Sequence, residues 1–246
     1  DGTLLDHGGV LGEAARAAIC ELRQRGIPVV PLTSKTEVEL RDLLVKLDAG
    51  GIGSFENGAG VVGPGGVVVS EKAVPVAALT ARLGELAQLT GLPLTPAVAL
   101  PTAEVCRITG FSEDRIPAML ARGFGLPFLA PEGAAEVLGR IARRLPATRL
   151  TRGGQFWHLS GDHGKEDAVE LLLRTGLASR PLAGLGDAPN DAGFLALCDV
   201  AVLVPRASGD ADPVLLAAVP AGRVAPFPAG RGWAAAVAEL LEAHGS

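Results

Sequence analysis

Asp187, Asn190 and Asp191 place three oxygen-bearing side chains within five residues of the segment Gly184-Leu185-Gly186-Asp187-Ala188-Pro189-Asn190-Asp191. An apolar run ending in Gly-Asp, a short proline-containing turn and an Asn-Asp pair at a helix start make a compact, oxygen-rich loop. Such a set suits a hard cation such as Mg²⁺, which takes one or two carboxylates and completes its shell with water and phosphate oxygens. Helix capping explains Asn190 and Asp191 equally well, but it leaves Asp187, at the strand end, without a role.

Three other segments carry groups that can act on a phosphate. In Asp1-Gly2-Thr3 a carboxylate stands beside a glycine, where the main chain can approach closely and the carboxyl can give or take a proton. An ordinary Asp-Gly turn is the alternative. Thr33 closes the apolar run Val29-Val30-Pro31-Leu32, and ligands of open α/β sheets bind outside the carboxyl ends of the strands. A cap on the helix that Ser34 and Lys35 begin explains it as readily. Lys165, in Asp162-His163-Gly164-Lys165-Glu166-Asp167, stands just before a helix, where an ammonium can neutralise a phosphoryl group and nearby carboxylates. A solvated lysine is the commoner case.

The elements that must position these groups alternate in period. Residues 13–25 and 37–47 carry apolar side chains at helical spacing, and Gly26 sits where the first helix would stop. Residues 27–32 form a short apolar run that predicts a buried strand. Residues 61–69, with Gly63, Gly65 and Gly66 at their centre, predict a hairpin. After Val74-Pro75, helices are predicted over 76–89, 102–109, 112–122 and 133–145, with extended segments at 126–129, 147–151 and 155–160. Strand–helix alternation resumes at Lys165 and ends in a helix over 233–243. The fold class expected is α/β, a Rossmann-like parallel-sheet core interrupted by an inserted α+β module. The boundaries expected are residues 1–74 and 161–246 for the catalytic core and 75–160 for the insertion, a cap.

Composition narrows the function classes. A net charge of −5 over 246 residues argues against a nucleic-acid partner, which calls for a basic face. The hydrophobic share of 48% and mean hydropathy of +0.33 are high. Even so, no apolar run approaches the ~20 residues of a spanning helix, so no membrane partner is expected. No basic start followed by an apolar stretch marks a secretory leader. Cys20, Cys106 and Cys198 are scattered and odd in number, which points to reduced thiols in a cytoplasmic protein and not to a disulfide framework.

In order along the chain, an acidic Gly-Thr motif, a strand-end Thr, a pre-helical Lys and a G-D-x-x-N-D stretch resemble the haloacid dehalogenase superfamily. The insertion between the Thr and Lys motifs is similar to that superfamily's larger α+β (type C2) cap. The resemblance implies a phosphomonoester hydrolase that works through an aspartyl-phosphate. In the signature D-x-D-G-T-L-x-D the first carboxylate is the nucleophile, which would lie two residues ahead of Asp1, so an apolar strand ending Asp-x is expected upstream. Asp1 then protonates the leaving alcohol and activates water, and Thr33 and Lys165 hold phosphoryl oxygens. The Mg²⁺ set implied is Asp1, Asp187, Asn190 and Asp191.

A narrower likeness rests on Pro31-Leu32-Thr33-Ser34-Lys35-Thr36, Glu56-Asn57-Gly58-Ala59 and Arg152-Gly153-Gly154-Gln155-Phe156-Trp157-His158. These look like segments of mannosyl-3-phosphoglycerate phosphatases, enzymes of compatible-solute biosynthesis. That likeness implies a small phosphorylated sugar as substrate, foremost a glycosyl-3-phosphoglycerate. Its binding residues would be Ser34, Lys35, Asn57, Arg122, Gly154, Gln155 and His158. Arg and Lys suit a carboxylate, Arg the better for its bidentate fork. The chain departs from the family pattern at Gln155, where an Arg is usual, over residues 122–127, and at His163, where an acid is common. A sugar phosphomutase of the same superfamily and a nucleophile-less sugar-phosphate-binding relative are the alternatives, and a monomer or homodimer is expected.

Overall fold

The computed structural model describes residues 1–6, 8–48, 50–153 and 156–244, with residue 244 described by its backbone alone. The chain folds into two compact units. One comprises Asp1–Pro31, Leu44–Ile52 and Gly164–Ser246; the other comprises Leu32–Leu43 and Gly53–His163.

The first unit is built on a parallel three-stranded sheet in the order Arg223–Val224, Val200–Leu203, Ala183–Gly186. Val202, Val204, Ala225 and Ala236 are buried together beside it. The helix Glu13–Gln24 buries Ala15, Ala18, Ile19 and Leu22, one stripe at helical spacing, and packs against the helix Ala229–His244. The strand Ala183–Gly186 runs in register with Val200–Leu203 and delivers the Asp187 loop at its carboxyl end.

The strand expected over 27–32 is not formed. Only Leu32 pairs, in an isolated parallel bridge to Ser54, and Ile27 is 42% exposed. Pro28 and Pro31 each lack the N–H that a ladder needs, so this segment cannot pair continuously.

The second unit carries two antiparallel sheets. Gly53–Phe55, Gly60–Gly63 and Gly66–Val69 form the smaller one, in which the expected hairpin is present. The larger has the order Thr95–Pro96, Gly125–Leu129, Phe156–Ser160, Arg149–Gly153. The pairs Leu126–Leu159 and Phe128–Trp157 lie on one face, where Leu79, Leu83 and Leu86 of the helix Val76–Thr90 and Leu138 of the helix Ala135–Ala142 cover them. Each such side chain taken out of water contributes about 1.5–3 kcal/mol. Side chains alternate along a strand, so His158, between Trp157 and Leu159, points to the opposite face. The helix expected over 112–122 is split into a 3₁₀ turn, Glu113–Arg115, and the short helix Ile116–Leu120.

Among the described residues no helix is long and apolar enough to cross a membrane.

Candidate functional site

In the first unit, Asp191 folds back over the loop that precedes it. Its Oδ2 accepts hydrogen bonds from the backbone N–H groups of Asp187 (2.9 Å) and Ala188 (3.0 Å). Its Oδ1 receives the Lys165 ammonium at 2.5 Å. The side chains of Lys165 and Asp191 are 12% and 4% exposed, so the pair is largely shielded from water. The helix Lys165–Arg174 begins at this lysine, and the Gly164 N–H just ahead of it donates to the Asp167 carboxylate at 2.7 Å.

Asp187 accepts a hydrogen bond from the Thr3 hydroxyl. Gly2 lies against the same carboxylate. A Cβ on Gly2 would stand 2.3 Å from Asp187 Oδ2, and its φ of +84° suits glycine alone. Burial raises the pKa of the Asp187 carboxyl, and the nearby Asp191 charge raises it further, against the Thr3 hydrogen bond and the Lys165 charge. One end of the first unit therefore collects Gly2-Thr3, Lys165 and the 187–191 loop from three distant parts of the chain. Asp1 precedes them on the exposed surface, and Asn190 is exposed on the turn Pro189–Asp191.

These groups suit a hard divalent cation. Among the described residues no group of three or more His, Cys, Asp or Glu side chains is set to hold a metal ion. Mg²⁺ needs fewer, one or two carboxylates with the balance from water and phosphate. Burial raises the pKa of the Asp187 carboxyl, and a bound cation would offset that penalty. Asp191 differs, since both of its oxygens are already engaged by Lys165 and the loop amides.

The second unit holds the other sequence-predicted residues. The backbone N–H of Thr33 donates to the Ser54 carbonyl at 3.0 Å, and the Thr33 carbonyl accepts from the Asn57 N–H at 2.8 Å. The Thr33 hydroxyl accepts from the Lys35 N–H at 3.1 Å, which leaves its own proton for another acceptor. Glu56, Asn57 and Gly58 follow one another with φ of 44°, 57° and 94°. A left-handed non-glycine residue costs on the order of 1–3 kcal/mol and persists only where its surroundings over-determine it.

Arg122 Nη1 donates to the Ser34 carbonyl at 3.2 Å and lies 4.0 Å from Glu56 Oε2. Burial lowers the Lys35 pKa; the charges of Arg115 and Arg122 lower it too, while Glu39 opposes them. Burial also pushes His158 down to about 4, with help from Arg122, so its ring is neutral at pH 7. Arg122 thus links these residues: it bonds the Ser34 carbonyl, stands beside the buried acid Glu56, and its charge is felt by Lys35 and His158. Sequence reasoning quoted Glu56 only as part of Glu56-Asn57-Gly58-Ala59 and gave it no role. Its sequence neighbours Gly53-Ser54-Phe55 gave no signal of one. Gly154 and Gln155 lie outside the described residues.

No family model matches the chain. Among curated proteins, the glucosyl-3-phosphoglycerate/mannosyl-3-phosphoglycerate phosphatase of Methanococcoides burtonii is 27% identical over 235 residues, covering 88% of this chain and 86% of the relative. The protein of the same name from Persephonella marina is 26% identical, covering 98% of this chain and 94% of the relative. Among solved structures, a haloacid dehalogenase-like hydrolase from Bacteroides thetaiotaomicron superposes with a TM-score of 0.74 at 16% identity, over 98% of this chain and 96% of that one.

The chain has the haloacid dehalogenase fold. The similarity to the two curated relatives covers most or nearly all of the chain's length. Their names agree with the expectation of a phosphatase.

Proposed function

We propose that this chain is a Mg²⁺-dependent phosphomonoester hydrolase whose substrate is a glycosyl-3-phosphoglycerate. In this reading residues 1–74 and 161–246 are the catalytic core and 75–160 the cap. The observation that carries it is the meeting of Gly2-Thr3, Lys165 and Asp187 in one unit. Segments up to 184 residues apart in sequence converge on two carboxylates and one dehydrated ammonium. A lone turn or a lone cap has no need of that convergence.

Asp187, with Asp1 and Asn190 beside it, would hold Mg²⁺, which would offset the repulsion between carboxylates and a phosphate dianion. Asp191 acts through Lys165 and the loop amides, so it is a positioning residue here and not a ligand. Lys165 neutralises charge on the transferring phosphoryl group, and the Thr33 hydroxyl donates to one of its oxygens. The carboxylate expected two positions ahead of Asp1 attacks phosphorus, and the P–O bond to the alcohol breaks. Asp1 gives that alcohol its proton. Asp1 then takes a proton from water, which attacks the aspartyl-phosphate, releasing inorganic phosphate and restoring the carboxylate.

The substrate is inferred from the second unit. Lys35, Arg115 and Arg122 exceed the acids Glu39 and Glu56 around them, which favours an anionic group beyond the phosphate under attack. A glycerate carboxylate supplies one, and the names of the curated relatives point the same way. Ser34, Asn57 and neutral His158 offer hydrogen bonds to sugar hydroxyls, and Gly154 and Gln155 complete the set that the family likeness implies.

The test is phosphate release by the complete gene product from mannosyl- and glucosyl-3-phosphoglycerate and a panel of sugar phosphates, with Mg²⁺ and with chelator. Mg²⁺-dependent release with the glycosyl-phosphoglycerates ranked first is the expected result. Isomerised sugar phosphate without release would assign a phosphomutase, and binding without turnover a sugar-phosphate-binding protein.

A further inference from the structure

Glu56 is the one acid fully buried among the described residues of the second unit. Its Oε1 accepts from the Gly123 N–H at 2.8 Å and its Oε2 from the Phe124 N–H at 3.1 Å. Burial raises the Glu56 pKa, and the Gly123, Phe124 and Gly125 amides and the Arg122 charge oppose that rise. Successive amides that converge in this way form an anion-binding nest, and here the anion is the chain's own carboxylate.

The nest begins one residue after Arg122. The carboxylate therefore fixes both the turn that carries Arg122 and the charge opposite its guanidinium. Lys35, Arg115 and Arg122 repel one another. Glu39 is the counter-charge on the Lys35 side, and Glu56 is that of Arg122. A guanidinium has five N–H donors, of which Ser34 takes one. Among the described residues Arg122 Nε is buried without a hydrogen-bond partner, so the Arg122 side chain is held there by charge and enclosure more than by saturation of its donors. The left-handed backbone at Glu56 is the strain such an arrangement over-determines.

We propose that Glu56 is a positioning residue that holds the Arg122 guanidinium, through their pairing and through the 123–125 turn, in the orientation that reads the substrate's carboxylate. This rests on the glycosyl-3-phosphoglycerate reading above. Gly125 supplies an independent handle: a Cβ there would stand 3.0 Å from Glu56 Oε2 and 3.5 Å from Arg122 Nη1, so Gly125→Ala pushes on the pair from outside.

The experiment compares wild type, Glu56→Gln and Gly125→Ala on mannosyl-3-phosphoglycerate and on p-nitrophenyl phosphate, which has no carboxylate. It also follows the Nε–H cross-peak of Arg122 by ¹⁵N NMR, assigned by its loss in Arg122→Lys. Glu56→Gln is expected to lower the kcat/KM ratio of the two substrates about tenfold, mainly through KM, the scale of one charge-assisted hydrogen bond. Gly125→Ala should do the same to a smaller extent, and both should shift or broaden the Arg122 cross-peak. Equal losses on the two substrates, or an unmoved cross-peak, overturn the proposal. If Glu56→Gln does not fold, Gly125→Ala decides the matter. If wild type does not prefer the carboxylate-bearing ester, the substrate reading fails and the cross-peak alone judges the positioning role.

Discussion

Asp191 and Glu56 are both buried acids that accept main-chain amides and stand opposite one basic side chain, but they are assembled at different ranges. The amides that Asp191 receives come from four and three residues away, and its lysine from 26. The amides on Glu56 come from 67 and 68 residues away. The hydrogen bonds on Asp191 are thus set within one short loop and one nearby helix start, whereas those on Glu56 exist only once distant parts of the second unit have folded together. Charge divides the same way, since acids outnumber bases around Asp187 and bases outnumber acids around Arg122.

The largest effect separating the two regions should come from Asp187→Ala. If Asp187 holds the cation as proposed, its loss should lower kcat/KM by about 10³-fold, the scale of removing a main electrostatic stabiliser of the transition state. Circular dichroism should stay native, because the replaced carboxyl is one that burial already disfavours. Undiminished phosphate release would remove Asp187 from the metal site.

Lys165→Met ranks second and should act on stability as well as rate. It leaves Asp191 buried without its cation, and breaking such a pair costs about 3–5 kcal/mol, or on the order of 10 °C in Tm for a chain of this size. A Tm unchanged within error would mean that Asp191 is held by its amides alone.

His158 sharpens the comparison from the other side, with the smallest effect. Its pKa is about 4 in the folded chain, below its ordinary value of 6.5. Between these pH values the unfolded chain takes up a proton that the folded chain refuses. The stability contributed by neutral His158 is therefore complete above pH 6.5 and declines as pH falls towards 4, by up to about 1.4 kcal/mol per pH unit. The Tm advantage of wild type over His158→Gln should shrink across that window. A constant difference would show that His158 shares the solvent and not the cationic surroundings of Arg122.

The same contrast of range explains how much could be read in advance. The helices Glu13–Gln24, Glu37–Leu47 and Val76–Thr90 were legible because their buried faces repeat at helical spacing, or because Gly and Pro mark their ends. The loop after Gly186 was legible because its polar residues are neighbours. Residues 27–32 misled, since apolar content outweighed two prolines that cannot pair. The strands Gly53–Phe55 and Thr95–Pro96 were too short to show any period. Glu56 carried no local signal of function, because the amides and the arginine that define its surroundings lie in another part of the chain.

Gly2 carries a consequence for the tolerance of this fold to improvement. A glycine ordered on folding surrenders more backbone entropy than any other residue, roughly 0.5–1 kcal/mol relative to alanine, and exchanging such glycines is a standard route to a more heat-resistant protein. At position 2 that route is closed twice, by a backbone angle that side chains avoid and by a carboxylate 2.3 Å from where the new carbon would sit. The entropy surrendered there is the stability this chain forgoes so that bare main chain, and nothing larger, borders Asp187.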